Sequence, residues 1–528
     1  MGANGNLNRD DQIRRIRERS TPWDLVVIGG GATGVGIAVD AATRGFDVLL
    51  LEQSDFGKGT SSRSTKLVHG GVRYLRQGNI TLVRDALRER RLLQANAPHL
   101  VHPTSFLIPC ANLWQRFFYG IGLRIYDGLA AGDPFASTRN VSAKRALEAI
   151  PVLKPNIVSG GVIYQDGQFD DTRLLVNMVQ TADEHGGCLL NYVKVDGLLK
   201  DDADCIAGVH AVDIETGEAF NIESQAVINA AGPFCDHVRQ MDDRNAETML
   251  SASQGVHIVL PRRLYPSDTA LMVPKTADGR VIFIIPWHGS AIVGTTDTPI
   301  DDVSLEPLAQ QEEIRFLLDT SAQYLAVPPT KEDITSVFTG IRPLVKGDKS
   351  ARTASLSRDH VIRVSKSGLM TITGGKWTTV RKMAEDCVDR VIKENQWPDR
   401  LCVTAEQRIH GYIESVDQSN PRSFYGSDLF ELEKLEAESP EWATALHPEL
   451  CLTGSQVVWA VRHERARTVE DVLARRTRVL FLDSEAAVAV APQIASIMAK
   501  ELGRDATWEL EQVKCFRELA RHYQACSA

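Results

Sequence analysis

A glycine-rich turn near the N-terminus constrains the fold of this chain more than any other feature. Gly29, Gly31 and Gly34 form a G-x-G-x-x-G pattern between the apolar residues 25–28 and a stretch of small residues. The first glycine allows a tight turn, the second lets the backbone approach a pyrophosphate, and the third allows a helix to pack closely on the strand. Strand, turn and helix in this order predict a parallel α/β unit that binds a dinucleotide.

The acidic residue that such a unit requires is also present. Residues 47–51 are typical of a second buried strand, and Glu52 ends it 23 residues after Gly29. A carboxylate there can accept hydrogen bonds from ribose hydroxyls. FAD and NAD share this fingerprint, but the chain has no second intact copy, and a reductase that uses both cofactors usually needs two. The pattern therefore favours one bound FAD and a substrate that is oxidised directly.

The composition argues against several other classes of protein. A net charge of −9 disfavours a protein that binds nucleic acid over its whole surface. The nine cysteines include no C-x-x-C pair, so we predict neither a disulfide framework nor a metal site. No apolar run reaches the ~18–20 residues of a membrane span. We expect a cytoplasmic protein with reduced cysteines.

Further motifs resemble those of one enzyme family. In chain order they are "VVIGGGATGVGIAVDAATRG", "GTSSRSTKLVHGGVRYL", "VHIVLP", "GTTDTP", "TGIRPLV", "SRDH" and "TITGGKWTTVRKMAE". These segments, spread from residue 25 to about residue 390, are similar to those of the FAD-dependent, quinone-linked glycerol-3-phosphate dehydrogenases. The part that follows residue 405 is similar in length and helical character but carries fewer recognisable residues.

The resemblance implies an α/β fold like that of glutathione reductase and D-amino-acid oxidase. In this fold a FAD-binding domain interleaves with an antiparallel-sheet substrate domain, which agrees with the strand-rich residues 255–300. We predict a polar N-terminal tail (1–21), a discontinuous FAD-binding domain (22–100, 156–250 and 340–400), a substrate-binding domain (101–155 and 251–339) and a C-terminal helical domain (405–528).

The resemblance also implies a reaction, the oxidation of sn-glycerol 3-phosphate to dihydroxyacetone phosphate. A hydride would leave carbon 2 for FAD, and a membrane quinone, either ubiquinone or menaquinone, would receive the electrons. We expect peripheral contact with the cytoplasmic face of the inner membrane, a homodimer and no nucleic-acid partner. Two alternatives stay open: a glycerol-3-phosphate oxidase that uses oxygen, and a non-catalytic or RNA-modifying protein that has kept the FAD fold.

Most of the residues expected to bind FAD lie within the motifs, and Glu52, Gln53 and Gly232 lie outside them. The expected residues are Gly29, Gly31, Ala32, Thr33, Gly34, Glu52, Gln53, Ser61, Ser62, Ser64, Thr65, Gly70, Gly71, Gly232, Gly374, Gly375 and Thr378. Helix N–H groups suit the phosphates, and glycines let the backbone pass close to the flavin. The alternative for each serine is a serine-rich turn, and the alternative for Thr378 is capping of the helix that follows it.

A phosphate dianion requires fixed cations, and the forked guanidinium of arginine binds phosphate oxygens in pairs. The resemblance assigns Arg73 and Tyr74 to the substrate phosphate and Arg342 to substrate orientation. Arg358 and Lys376 are further candidates for contact with the substrate. A solvated loop arginine is the alternative for Arg358.

The hydroxyl at carbon 2 must lose a proton as the hydride leaves, which calls for a base or a base-orienting group near the flavin. The resemblance makes His257 the leading candidate, although a lone histidine in an apolar strand is more often structural. His69, beside Gly70 and Gly71, is the second candidate. Arg342 and Lys376 complete the predicted catalytic set, and the choice between the two histidines stays open.

Two segments outside the motifs have more than one interpretation. Residues 114–129 place Trp114, Phe117, Phe118, Ile121, Ile125 and Leu129 on one face at helical spacing, with Arg116 and Arg124 as partners for lipid headgroups. We interpret this face as a membrane-docking surface that opens a route for quinone, but a core helix has the same periodicity. The arginine-rich residues 461–479 could form a dimer contact or a solvated face.

Overall fold

The computed structural model of the chain describes residues 8–71, 80–130, 137–274, 276, 279–346 and 360–525. The strands are β1 (Trp23–Ile28), β2 (Val48–Leu51), β3 (Leu67–Val68), β4 (Val101–Cys110), β5 (Arg139–Ser142), β6 (Gly160–Phe169), β7 (Cys188–Leu190), β8 (Val193–Lys200), β9 (Ile206–Asp213), β10 (Ala219–Asn229), β11 (Leu250–Pro261), β12 (Ala270–Val273), β13 (Ile282–Trp287), β14 (Ser290–Gly294), β15 (Thr298–Pro299), β16 (Ser336–Val345), β17 (His360–Val364) and β18 (Met370–Gly374). The α-helices are α1 (Arg9–Glu18), α2 (Ala32–Thr43), α3 (Ile80–Asn96), α4 (Leu113–Leu129), α5 (Ala143–Ala149), α6 (Asp171–Glu184), α7 (Cys235–Asp242), α8 (Gln311–Tyr324), α9 (Val380–Glu394), α10 (Leu429–Glu438), α11 (Gly454–His463), α12 (Val479–Leu482), α13 (Ser484–Leu502) and α14 (Ala506–Ala520).

The first sheet contains the predicted nucleotide-binding unit at its centre. Its strands follow the order β17-β18-β10-β1-β2-β7, with β8 and β9 continuing beside β10. Strand β1 pairs in parallel with both β2 and β10. These central strands are apolar and buried because helices cover one face of the sheet and further strands cover the other. The strand, turn, helix and second strand predicted for residues 25–51 are confirmed.

Small residues let helix α2 approach its neighbours. A Cβ atom on Gly36 would lie 3.2 Å from Cγ2 of Val380 in α9, so a larger residue would push the two helices apart. Helix α2 also packs against α6, and the three helices share one apolar core with β1 and β2. This core fixes the N-terminus of α2 relative to the ends of the parallel strands.

The second sheet is mostly antiparallel and contains ten of the described strands. Its order is β15-β11-β14-β13-β12-β4-β6-β3, with β16 on the other side of β11 and β5 beside β6. Strand β16 pairs over its whole length with residues 250–259 of β11, which aligns His257 with Phe338 and Ser253 with Arg342. Apolar side chains from β11, β13 and β14 pack against helix α8 and form a separate core.

Helices α11 to α14 form a C-terminal layer that packs on the second sheet. Their apolar side chains share a core with Val259, Ile292 and Phe338 of the sheet. The fold is therefore an α/β nucleotide-binding sheet joined to an antiparallel sheet and a helical C-terminal region, as the sequence predicts.

Three parts of the structure differ from the sequence expectations. Within the predicted polar tail, α1 buries Ile13 and Ile16 against the first sheet, and Arg9 pairs with Asp213 at 2.8 Å. Strand β6 was expected in the FAD-binding domain, but it pairs with β4 and therefore lies in the second sheet. The remaining domain boundaries stay predictions.

The third difference concerns residues 461–479, for which the sequence suggested a dimer contact or a solvated face. Arg465, Arg475, Arg476 and Arg478, four of the six arginines in this segment, are buried within the chain. Buried carboxylates from other parts of the fold neutralise them, among them Asp55, Asp183 and Asp170. Neither sequence interpretation holds for these four side chains, because both require exposed arginines.

Candidate functional site

Two adjoining cavities lie where the two sheets meet. The larger has a volume of about 550 Å³ and the smaller about 270 Å³. Six residues line both cavities: Thr60, Pro343, Gly374, Gly375, Lys376 and Trp377. A molecule that fills the larger cavity can therefore reach the wall of the smaller one at the end of strand β18.

Glycine backbone forms the closed end of the larger cavity. Gly29 has φ +111°, and a Cβ atom there would lie 2.7 Å from the carbonyl oxygen of Ala230. A Cβ atom on Gly34 would lie 1.9 Å from the carbonyl oxygen of Gly29. Gly31 precedes α2 without a side-chain cap, and Gly31, Ala32 and Thr33 line the cavity. The helix N-terminus therefore faces a space where an anionic pyrophosphate fits.

Glu52 lies on the cavity wall at the end of β2, as predicted. Its carboxylate accepts hydrogen bonds from the backbone N–H of Gly30 at 2.6 Å and of Ser54 at 2.8 Å. Burial raises the pKa of Glu52 above its ordinary value. Gln53 and Gly232, the latter with φ +55°, also line the cavity.

The predicted serines and Thr65 do not all lie at the same cavity. The Oγ of Ser61 accepts from the N–H of Ala32 at 2.8 Å, and its carbonyl accepts from Nε1 of Trp377 at 2.9 Å, so Ser61 joins the two ends of the cavity. Ser62 is buried and lines neither cavity. Ser64 and Thr65 line the smaller cavity instead of the larger one.

His257 lies in the wall of the smaller cavity and is almost completely buried. Its Nε2 lies 3.0 Å from Oγ1 of Thr65, and its ring stacks on Phe338 with centroids 4.7 Å apart. A Cβ atom on Gly294 would lie 2.1 Å from Cδ2 of His257, so this glycine makes room for the ring. Burial, followed by the charges of Arg342 and Lys66, holds the pKa of His257 well below its ordinary value, and the ring is neutral at pH 7.

His69 lies in a glycine turn on the same cavity. Its Nδ1 accepts from the N–H of Gly71 at 3.1 Å, so a neutral His69 carries its proton on Nε2. Its own N–H donates to Oγ1 of Thr378 at 3.2 Å. Gly70 donates to Oη of Tyr126 at 2.8 Å, and Gly71 has φ +74°.

Arg342 is held on the wall of the smaller cavity by several acceptors. Its Nη2 donates to Oγ1 of Thr295 at 3.1 Å and to the carbonyl of Thr296 at 2.9 Å. A Cβ atom on Gly255 would lie 2.3 Å from Nη2, so a glycine is needed beside the guanidinium. Its Nη1 also pairs with Asp297 at 3.3 Å, and the side chain keeps 27% of its surface exposed, which leaves it able to receive an anionic ligand.

The structure brings most of the predicted site together. Lys376 lines both cavities, and Gly374 and Gly375 lie beside it with φ values of +81° and +73°. Arg73, Tyr74 and Arg358 lie outside the described residues.

Several residues of the two cavities were not predicted. Trp377 was not predicted as a site residue, although the motif that contains it was recognised. It lines both cavities and donates a hydrogen bond to the carbonyl of Ser61. Lys58 lines the larger cavity from a loop whose only sequence signal is its flanking glycines. Lys66 is buried behind the smaller cavity, where Nζ donates to both carboxylate oxygens of Asp171 at 2.8 Å. A lysine in an apolar, glycine-rich motif was the only signal for that ion pair.

Comparisons with known proteins agree with this geometry. Residues 24–381 match the family described as FAD dependent oxidoreductase, and residues 370–509 match the C-terminal domain of alpha-glycerophosphate oxidase. The mitochondrial glycerol-3-phosphate dehydrogenase of Bos taurus is 38% identical over 547 residues, which cover 97% of this chain and 75% of the bovine chain. The mitochondrial enzyme of Arabidopsis thaliana is also 38% identical, over 96% of this chain and 87% of its own.

The chain belongs to the FAD-dependent glycerol-3-phosphate dehydrogenase family. The crystal structure of the glycerol-3-phosphate dehydrogenase from Bacillus halodurans, complexed with FAD, superimposes with a TM-score of 0.79 at 29% identity. The match covers 98% of this chain and 97% of the Bacillus chain. The predicted family, fold class, enzyme class and cofactor are thereby confirmed.

The larger cavity of this family member fits FAD by its own chemistry. It combines a glycine-lined helix N-terminus for the phosphates, a carboxylate at the end of β2 and a glycine pair where the two cavities meet. These are the donors and the close backbone approach that a dinucleotide requires.

Proposed function

We propose that this enzyme oxidises sn-glycerol 3-phosphate to dihydroxyacetone phosphate and that a membrane quinone, ubiquinone or menaquinone, receives the electrons. The single observation that carries the substrate proposal is the charge of the smaller cavity. Arg63, Arg342 and Lys376 line it, and no Asp or Glu does among the described residues. Arg63 pairs with Glu306 at 2.8 Å and Arg342 with Asp297 at 3.3 Å, but neither carboxylate lines the cavity. A cavity lined by basic side chains and by no acidic ones favours a small anionic substrate, and the names of the relatives support glycerol 3-phosphate.

FAD, when bound, supplies the acceptor for the hydride of carbon 2. The chain's own residues would bind the phosphate, orient carbon 2 and move the hydroxyl proton. Arg342 is anchored to Thr295 and Thr296, so it can orient the substrate without moving itself. Arg73, Tyr74 and Arg358 remain proposed phosphate ligands on the strength of the sequence.

Two proton routes are compatible with the described contacts. His257 is neutral, and its Nε2 lies within hydrogen-bonding distance of the hydroxyl of Thr65. Thr65 also lines the smaller cavity, so its hydroxyl can connect His257 to a bound substrate. His69 lines the cavity itself. We propose that one of these histidines takes the proton, His257 through Thr65 or His69 directly.

Anaerobic flavin reduction tests the substrate proposal. The purified holoenzyme should lose its flavin absorbance near 450 nm when mixed with glycerol 3-phosphate but not with an equal concentration of glycerol, because only the former carries the phosphate. Equal reduction by both compounds would refute recognition of the phosphate. Reduction by neither would refute glycerol 3-phosphate as substrate.

The membrane proposal rests on helix α4. Its Trp114, Phe117, Phe118, Ile121 and Ile125 have 40–72% of their surface exposed, so they do not form a core face in this chain. Such an exposed apolar stripe favours docking in a bilayer interface. Across the part of the chain that is described, no helix is long and apolar enough to cross a membrane. We propose peripheral contact with the cytoplasmic face of the inner membrane and access for quinone beside this helix.

Liposome co-sedimentation tests this contact. The wild-type holoenzyme should sediment with vesicles, and a Phe117→Glu/Phe118→Glu variant with the same FAD content should stay in the supernatant. A Phe430→Glu variant is a matched control, because Phe430 is a similarly exposed aromatic residue on α10. Equal binding of wild type and the double variant would refute the docking face.

Oxygen as electron acceptor is the second candidate, because the C-terminal residues match a domain named for an oxidase. Stopped-flow mixing of the reduced enzyme separates the two acceptors. Rapid reoxidation by a ubiquinone or menaquinone analogue and slow reoxidation by oxygen support the dehydrogenase. The reverse pattern would establish the oxidase.

We also propose a homodimer, which size-exclusion chromatography with light scattering tests directly. A mass near twice the 58.2 kDa of the chain supports it, and a monomer mass at micromolar concentration contradicts it.

A further inference from the structure

The C-terminal region reaches the FAD cavity through one buried carboxylate. We call residues 53–60 the cavity loop, because Gln53, Gly57, Lys58, Gly59 and Thr60 of this segment line the larger cavity. Asp55 lies in the loop but points away from the cavity and has no exposed surface. Its neighbours are therefore protein groups, and the most important come from about 420 residues later in the chain.

Two consecutive arginines bind Asp55. Arg476 donates to both carboxylate oxygens, from Nη1 at 2.7 Å and from Nη2 at 2.8 Å, and Arg475 donates from Nε at 2.5 Å. Both arginines lie in the π-helical segment Asp471–Arg476, and both are buried. Burial by itself would raise the pKa of Asp55, but the two guanidinium charges hold it below its ordinary value. The carboxylate therefore stays charged and fully bound at neutral pH.

A second ion pair holds Lys58 of the same loop. Nζ of Lys58 lies 2.7 Å from both carboxylate oxygens of Glu470, and Arg475 donates to the same carboxylate at 2.7 Å. Glu306, which lies between β15 and α8, also contacts Lys58, at 3.1 Å. Ion pairs therefore hold the cavity loop at two positions, Asp55 and Lys58. At each position the partner is a residue of the segment 470–476.

The other contacts of the loop are uncharged. Phe56 is buried in the apolar core of the first sheet, the N–H of Tyr192 donates to the carbonyl of Ser54 at 2.9 Å, and Nδ2 of Asn191 donates to Asp55 at 3.1 Å. Gly57 donates to the carbonyl of Gly30 at 3.0 Å, and Oγ1 of Thr60 donates to the carbonyl of Ile341 at 2.6 Å. Asp55 and Lys58 are the charged side chains of the loop, and each joins it to the C-terminal region by an ion pair. A carboxylate held by a forked, buried pair of donors has one orientation, so it fixes the backbone that carries it.

We propose that Asp55, Arg475, Arg476 and Glu470 form a positioning clamp that sets the shape of the FAD cavity and so makes FAD retention depend on the C-terminal region. None of the four touches the space that FAD would fill, and they act through the cavity loop. The inference requires only that FAD binds in the larger cavity, and it is independent of the substrate and the electron acceptor. It also gives residues 461–479 a role that neither a dimer contact nor a solvated face would explain.

FAD release from the holoenzyme tests the clamp. After dilution of each full-length holoprotein, the rise in fluorescence of released FAD gives the dissociation rate well below the unfolding temperature. We expect Asp55→Asn to release FAD at least about tenfold faster than wild type, because the cavity loop loses its charged anchor while the side-chain volume is unchanged. Glu470→Gln should release FAD about threefold faster, because Lys58 keeps Glu306 as a partner.

The matched control is Arg467→Gln. Arg467 is a neighbouring arginine that binds Glu215 through two hydrogen bonds of 2.7 Å, and it also joins the C-terminal region to the first sheet. It does not contact the cavity loop, so its loss should lower the melting temperature without changing FAD release more than about twofold.

The two readouts together separate positioning from general stability. The clamp is supported if Asp55→Asn and Glu470→Gln accelerate FAD release more than Arg467→Gln does at a similar loss of melting temperature. It is overturned if the three variants release FAD at rates that follow melting temperature alone, or if release is unchanged in both clamp variants. If Asp55→Asn does not fold, Glu470→Gln decides between these outcomes, because its side chain is partly exposed and its replacement is nearly isosteric.

Discussion

The two adjoining cavities differ in whether backbone or side chains form their walls. The larger one is closed by backbone, since Gly29, Gly31 and Gly34 lie within six consecutive residues and leave no space for side chains at two of the three positions. The smaller one is walled by side chains from distant segments, including His69, His257 and Arg342. We call residues 29–34 the backbone cradle. A change in the cradle alters the whole shape that its ligand must fit, whereas a wall of side chains can lose one contact at a time. Substitutions should therefore affect the two cavities in different ways.

The sharpest test of the backbone cradle is Gly34→Ala. The new Cβ would lie 1.9 Å from the carbonyl oxygen of Gly29, so the turn must open at a cost of about 3 kcal/mol or more. We expect purified protein with little or no bound FAD, measured as the ratio of absorbance at 450 nm to that at 280 nm.

Gly122→Ala is the control for Gly34→Ala, because no atom of the described residues lies within 4 Å of a Cβ atom at position 122 in helix α4. It should keep the FAD content of wild type. A Gly34→Ala protein that holds a full complement of FAD would break the comparison, since the cradle would then tolerate a side chain.

Arg342→Gln tests the side-chain wall, where the effect should be large but confined to the substrate. Loss of the guanidinium should lower kcat/KM for glycerol 3-phosphate about 100-fold, or about 2.7 kcal/mol, while FAD content stays unchanged. Steady-state kinetics with an artificial electron acceptor measure it. Arg363→Lys, at an exposed arginine of β17, should behave as wild type. Loss of FAD in Arg342→Gln would show that the two cavities are not separable.

The same contrast explains how much the sequence could predict. The cradle was predictable because its glycines, strand and Glu52 are neighbours in sequence, and each has a known role in dinucleotide binding. The family motifs also pointed to His257, Arg342 and Lys376. The contacts among such residues were not predictable: Thr65 and His257 are 192 residues apart, and their contact depends on how the second sheet packs. Nothing local indicates that Gly255 makes room for Arg342 or that Gly294 makes room for His257.

The sequence is misleading about the C-terminal arginines for a related reason. A run of arginines is usually solvated, and residues 461–479 resemble an exposed basic helix. Their acidic partners, such as Asp55 and Asp170, lie about 300–420 residues earlier in the chain. Only the folded chain brings these charges together, so the sequence could not distinguish a buried ion-pair network from a basic surface.

Thr65→Val tests whether one hydrogen bond in the wall matters to the chemistry. Valine has the same shape but cannot bind Nε2 of His257, which would leave a buried ring nitrogen without its partner. We expect the rate of anaerobic flavin reduction to fall about tenfold, with Thr65→Ser close to wild type. An unchanged rate in Thr65→Val would exclude the proton route through Thr65 and favour His69.

The pH dependence of stability reports on His257 directly. Its pKa in the folded protein lies well below the value of about 6.5 expected after unfolding, so below that pH the unfolded state binds the extra proton and stability falls as pH falls. Between pH 6.5 and 5.5 the wild type should lose about 1 kcal/mol more unfolding free energy than His257→Asn. Denaturant titrations at both pH values measure this difference. Parallel losses would mean that His257 is already charged or exposed in the folded protein.

The smallest expected effect is that of Tyr126→Phe, which removes one tether from the glycine turn. Oη of Tyr126 accepts from the N–H of Gly70 at 2.8 Å and donates to Asp166 at 2.9 Å. The turn keeps its bonds between Gly71 and His69 and between His69 and Thr378, so kcat/KM should fall only about threefold, with FAD content unchanged.

Tyr164→Phe is the matched control for Tyr126→Phe. Tyr164 is an equally buried tyrosine whose hydroxyl lies 3.2 Å from Sδ of Met272 and does not contact the turn. A threefold loss in both variants would assign the effect to general packing. A loss confined to Tyr126→Phe would show that Tyr126, which lies outside the smaller cavity, helps to position the glycine turn in its wall. Tyr126 belongs to helix α4, which also carries the exposed apolar face. Loss of FAD in Tyr126→Phe would instead mean that the turn belongs to the backbone cradle, and the boundary between the two cavities would have to be redrawn at Gly70.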